Sequence, residues 1–161
     1  MFFLKKKMKK TKIYAPVKGR IVSLESVKDG VFSEKLLGDG IAILPEEDEI
    51  YVPVDGVVSF VMETGHAFGI QMPNGLEVLV HVGIDTVKEA GKGFCTFIKK
   101  DQHVKAGMLA ITADREYLEK KGYELFVLTL IPDAEKTGVL KHTDSKIIKE
   151  INEMILSISS V

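Results

Sequence analysis

His66 and His81 are the side chains in this sequence whose type and spacing point most directly to chemistry. They lie in two short runs with strand-like apolar spacing, His-Ala-Phe-Gly-Ile-Gln-Met over 66–72 and Leu-Glu-Val-Leu-Val-His-Val over 76–82. Pro73-Asn74-Gly75 joins the runs, and Asn-Gly between alternating apolar segments predicts a tight hairpin. With the turn on Asn74-Gly75, Phe68 would face His81 and His66 would lie diagonal to it. With the turn on Pro73-Asn74, the two histidines would stand directly opposite. Either even loop keeps both imidazoles on one face of the sheet, and an odd loop would not. That face is expected to carry His66, Phe68, Ile70, Leu79 and His81, while Val78, Val80 and Val82 point to the core. Two imidazoles in a dry surround suit metal binding, acid–base work or reversible phosphorylation of a ring nitrogen. One histidine on an apolar strand is more often structural, whereas two on one hairpin face favour function.

The neighbours of the pair sharpen this reading. Thr64 precedes His66 by two positions, and a hydroxyl there can bond one imidazole nitrogen and so select the tautomer. Asp85 follows His81 by four positions, at the end of its strand. Taken alone, Asp85 in Gly83-Ile84-Asp85-Thr86 reads as a turn-former.

The elements that must hold these residues are short strands. Apolar runs recur through residues 13–111, punctuated by Gly, Pro and Asp, which predicts an all-β antiparallel sandwich or barrel with short helical segments. A faint internal repeat relates Ala15-Pro16-Val17-Lys18-Gly19 to Val52-Pro53-Val54-Asp55-Gly56, each leading into a β-branched strand. Gly38-Asp39-Gly40 lacks the following helix that a phosphate loop requires and reads as a turn. Asp114 to Lys121 predicts a short capped helix, and the apolar run Leu125 to Ile131 a buried strand stopped by Pro132. Ile147, Ile148, Ile151, Met154 and Ile155 have helix-like spacing and predict a C-terminal helix. His103 and His142 read as turn residues.

At 161 residues the chain fits one domain, which would bury about two thirds of its unfolded surface. Residues 12–161 are expected to form it, and 1–11 a basic N-terminal tail, either amphipathic or disordered. A net charge of -1 argues against nucleic-acid binding. The single cysteine, Cys95, excludes an internal disulfide and fits a reducing cytosol. No run of about 18 apolar residues is present to span a membrane. The expected location is therefore cytoplasmic, with the lysine-rich tail able to touch an anionic membrane surface weakly.

Four segments together carry a family resemblance: Gly38-Asp39-Gly40-Ile41-Ala42-Ile43, Pro53-Val54-Asp55-Gly56, Thr64-Gly65-His66-Ala67-Phe68-Gly69-Ile70 and Val80-His81-Val82-Gly83-Ile84-Asp85-Thr86-Val87. In order and spacing, from about Tyr14 to Asp114, they resemble the glucose-type enzyme IIA domain of the bacterial phosphoenolpyruvate-dependent sugar phosphotransferase system. The resemblance implies that His81 accepts a phosphoryl group from the phosphocarrier HPr and passes it to a cysteine of a IIB domain. His66 would then hold a phosphate oxygen, with Thr64 setting its tautomer. It further implies that Asp29 and Asp85 meet basic residues of HPr, and that Val31, Phe32, Leu37, Met62, Phe68 and Leu79 belong to an apolar docking surface. Phenylalanine is frequent in the family where this chain has Met62 and Leu79, and the family's turn before its last strand is not evident at 149–153. No cofactor is required in such a reaction, although His66 and His81 could also take up zinc. Two other functions compete. One is a zinc hydrolase of the lysostaphin type, for which the additional His-x-His is missing. The other is a regulatory binding module that reports sugar supply to other enzymes or transporters.

Overall fold

The computed structural model describes residues 9–27, 38–134 and 138–160. Among them the chain forms β1 (Lys9–Tyr14), β2 (Gly19–Val22), β3 (Asp39–Pro45), β4 (Glu49–Tyr51), β5 (Gly56–Val61), β6 (Ala67–Gln71), β7 (Glu77–Val82), β8 (Phe94–Thr96), β9 (His103–Val104) and β10 (Leu109–Ala113). These are followed by α1 (Arg115–Lys120), β11 (Val127–Ile131), β12 (Val139–His142), β13 (Ile147–Ile148) and β14 (Met154–Ser160). All pairings are antiparallel, which confirms the all-β sandwich class. An eight-stranded sheet runs β13-β2-β3-β11-β7-β6-β5-β9, and two three-stranded sheets run β1-β14-β12 and β4-β10-β8.

β11 explains the layering. All five of its residues are buried, as the apolar run over 125–131 predicts. Val127 and Ile131 enter the main core with Val78, Val80 and Val82 of β7. Leu128 and Leu130 point to the other face, where they meet Leu24, Val27 and Ala42 in a smaller cluster. A strand that is apolar on both sides needs cover on both. The 3-10 turn Leu24–Ser26 supplies part of it by burying Leu24.

The internal repeat has a structural counterpart. The Tyr14 N–H donates to the Pro53 carbonyl and the Tyr51 N–H to the Pro16 carbonyl, so the two repeats pair with one another reciprocally. Gly19 and Gly56 each begin a strand against a neighbouring carbonyl, and a Cβ would lie 2.0 Å from the Leu44 oxygen at Gly19 and 2.3 Å from the Gln71 oxygen at Gly56. Only glycine admits that approach.

α1 forms where expected, with the Asp114 carboxylate accepting the Tyr117 N–H at its N-terminus and Leu118 buried. The expected C-terminal helix does not form. The Glu153 carboxylate instead accepts the N–H groups of Lys149 and Glu150, closing a turn between β13 and β14. β14 then buries Ile155, Leu156 and Ile158 between β1 and β12. Burial of a strand between two partners outweighs the helix-like spacing of the isoleucines. His103 and His142 also depart from the turns expected for them. Both lie in strands, His103 opposite Val57 and His142 opposite Leu156.

Candidate functional site

Two turns, one before each of the paired strands' critical ends, bring the histidines together. The β6–β7 hairpin pairs Ala67 with His81, Gly69 with Leu79 and Gln71 with Glu77, so the connecting loop is odd, Pro73-Asn74-Gly75 inside the Met72–Leu76 closure. This corrects the expected register. Phe68 and Ile70 fall on the core face with Val78 and Val80 and are fully buried. Phe68 therefore cannot touch a partner. His81 and Leu79 occupy the opposite face, beside Leu128 and Leu130 of β11.

Strict alternation would send the His66 ring inward with Phe68, but His66 lies just before β6. Gly65, at φ +74, ends a turn in which its N–H donates to the Met62 carbonyl, and the Met62 N–H donates to Ala67. The strand's alternation thus stops at Ala67, and the His66 ring reaches the His81 ring at 5.0 Å between centroids, nearly perpendicular at 82°. The His66 carbonyl accepts the Val82 N–H at 2.7 Å, tying the turn to β7. A Cβ on Gly65 would lie 3.0 Å from the Phe94 Cβ, so glycine suits both the backbone and the space.

Thr64 Oγ1 lies 2.5 Å from His66 Nδ1, as the spacing suggests. His66 is only 4% exposed, and burial holds its pKa below the ordinary 6.5, so the neutral ring prevails at pH 7. If the Thr64 hydroxyl donates to Nδ1, the ring proton sits on Nε2 and can be given to an oxygen. The Phe94 ring stands edge-on to His66 at 6.4 Å between centroids. Among the described residues no group of three or more His, Cys, Asp or Glu could hold a metal. Two imidazoles supply half of zinc's usual four-ligand shell, so the described residues do not by themselves complete one.

The segment after His81 is held by its own bonds. Gly83 and Asp85 both have positive φ, and the buried Thr86 hydroxyl donates to the Val82 carbonyl at 2.5 Å. Asp85 is exposed and lies 3.9 Å from the Lys88 ammonium. Met62 is 42% exposed on the turn that carries Thr64 and His66. Leu79 is half-buried against the smaller apolar cluster, which Ile84 and Phe126 extend. Asp29, Val31, Phe32 and Leu37 lie outside the described residues. Phe94, Ile84 and Phe126 were not singled out by sequence. The run at 125–131, apolar apart from Thr129, is the available sign of a second apolar face, since a strand with one face in solvent alternates.

Comparisons with known proteins follow the same direction. The family model for the phosphoenolpyruvate-dependent sugar phosphotransferase system, EIIA 1, matches residues 11–137. The glucose-specific EIIA component of Buchnera aphidicola is 40% identical over 139 residues, which is 86% of this chain and 86% of that one. The glucose-specific EIICBA component of Staphylococcus carnosus is 44% identical over 108 residues, covering 67% of this chain but only 16% of that protein. Among solved structures, the glucose permease IIA from Mycoplasma capricolum superposes with a TM-score of 0.81 at 33% identity, over 98% of this chain and 99% of that one.

Proposed function

Because the chain belongs to the EIIA 1 family of the phosphoenolpyruvate-dependent sugar phosphotransferase system, we propose that His81 is its phosphoryl-accepting residue and His66 the group that steadies the phosphate. EIIA components are phosphotransferases that act in sugar uptake, between the phosphocarrier HPr and a IIB domain. The fused EIICBA relatives fit a IIB partner for this chain as well, and the relatives' names point to glucose as the sugar served. A cytoplasmic location is in keeping with this role, and no helix of the described residues is long and apolar enough to cross a membrane.

The observation that carries the proposal is the 5.0 Å pairing of the two rings beside an apolar patch. A neutral His81 nitrogen attacks phosphorus as the N–P bond to the carrier's histidine breaks, and the carrier's imidazole leaves with its electron pair. The second step reverses these roles, with a thiolate attacking and the His81 nitrogen leaving. His66, neutral and with its proton directed by Thr64, donates to a phosphoryl oxygen during both steps. The half-buried Leu79, Ile84 and Phe126, backed by the buried Leu128 and Leu130, keep water from the labile phosphohistidine and offer a docking surface. The zinc-hydrolase reading lacks a third ligand in the described residues and is set aside.

The test is transfer of labelled phosphate from phosphoenolpyruvate through the general carriers to this protein, followed by mapping of the acid-labile label. The label should sit on His81 and vanish in His81→Ala. Undiminished labelling of His81→Ala would overturn the proposal.

A further inference from the structure

The wall beside His66 is held by a carboxylate and two tyrosines that the reaction itself does not use. Glu89 ends the 3-10 turn that follows Asp85, and its carboxylate accepts the Tyr117 hydroxyl at 2.5 Å and the Tyr123 hydroxyl at 2.7 Å. Tyr117 lies on α1, and its ring also meets the far end of the same loop. A Cβ built on Gly93 would lie 3.0 Å from Tyr117 Cδ1. The helix therefore grips both ends of 89–93. Backbone bonds reinforce this, since the Asp114 N–H donates to the Gly93 carbonyl and the Phe94 N–H to the Gly91 carbonyl.

Where this loop leads is what gives it a function. Gly91 runs beside the Thr64 backbone, with a Cβ there only 3.8 Å from the Thr64 oxygen. Phe94, the next residue after Gly93, sets its ring edge-on to His66. We propose that Glu89, Tyr117 and Tyr123 are positioning residues that press the 89–94 loop and the Phe94 ring against His66, keeping its imidazole shielded and aimed at the phosphate. Hydrogen bonds from the two hydroxyls also hold the Glu89 carboxyl below the usual carboxylate range, so the clamp stays charged at neutral pH.

The inference rests on the phosphotransfer reading for its consequence, but its geometry can be tested without any phosphoryl donor. The probe is diethyl pyrocarbonate, with carbethoxylation of each histidine followed by mass spectrometry. Exposed His103 serves as the internal reference. In Tyr117→Phe/Tyr123→Phe, carbethoxylation of His66 should accelerate several-fold relative to His103, and Glu89→Gln, which keeps an acceptor oxygen, should fall between this variant and wild type. In the transfer assay the double variant should lose several-fold in kcat with little change in KM for the phosphocarrier. Tyr117→Phe alone guards against a double variant that does not fold, and should show the same selective exposure to a smaller extent. Wild-type shielding of His66 in the folded variants, or equal acceleration at His66 and His103, would overturn the clamp. Failure of the wild-type protein to accept phosphate would instead count against the phosphotransfer reading, leaving the carbethoxylation result to decide the clamp.

Discussion

His66 and His81 are alike in type and unlike in surroundings, and that difference assigns their tasks. His66 is buried, bonded to Thr64 and disfavoured as a cation, which suits a fixed donor rather than a group that must gain and lose a bulky phosphoryl. His81 is only half-buried, on a strand face continuous with the apolar cluster, where a partner's phosphohistidine can reach it. His66→Gln should therefore still form phospho-His81, because an amide N–H can mimic the contact to the phosphate, but onward transfer should slow about 100-fold or more, because an amide cannot give or take a proton there as the imidazole can. Rapid-quench measurement of the two half-reactions would show the split; equal slowing of both would contradict it. Thr64→Val should give the same pattern more weakly, and Thr64→Ser should restore it, since the hydroxyl alone is required. Histidine, threonine and their order are visible in the chain, which is why these residue types could be singled out without coordinates.

Strand register was harder to read, and the hairpin shows why. Asn74-Gly75 favours a two-residue turn, yet closure at Met72 and Leu76 makes a three-residue loop and moves Phe68 to the core face. Turn propensity is local, whereas the choice between adjacent registers depends on which face the main core buries. The histidine pairing survives because Gly65 re-aims His66 outside the strand, a feature that strand periodicity does not encode. At the C-terminus a similar contest was lost by local pattern, as burial between β1 and β12 drew 154–160 into a strand. The register correction separates two residues once expected on the same surface. Phe68→Ala should cost about 3–5 kcal/mol of stability, since a fully buried ring is replaced by a cavity. Leu79→Ala should cost less in stability but raise KM for the phosphocarrier several-fold. Urea unfolding together with transfer kinetics on both variants distinguishes core from docking face; a KM effect for Leu79→Ala no larger than its loss of stability predicts would place Leu79 in the core.

The sandwich as a whole carries the cost of keeping one imidazole dry, and that cost should show in its pH dependence. His66 has its folded pKa lowered from 6.5 by burial, so protonation favours the unfolded chain. The stability that depends on a neutral ring is fully present above pH 6.5 and is lost as pH falls through the lower folded value. Glu89 is lowered from 4.5 by its two tyrosine bonds, so the stability it contributes is present above that pH and lost only in more acidic solution. The two windows are therefore ordered, His66 first and Glu89 later, as acid is added. Melting temperatures taken from pH 8 downward should fall for the wild type once pH drops below about 6.5, each unit of pKa displacement being worth about 1.4 kcal/mol. His66→Gln has no ring to protonate and should lose the first decline while keeping the second. Tyr117→Phe/Tyr123→Phe should weaken the acidic decline and, because it also unshields His66, shrink the decline near neutrality without abolishing it. Parallel curves for wild type and His66→Gln across pH 8 to 5 would mean that the protein does not keep this imidazole neutral, and the assignment of His66 as a fixed, uncharged donor would have to be given up.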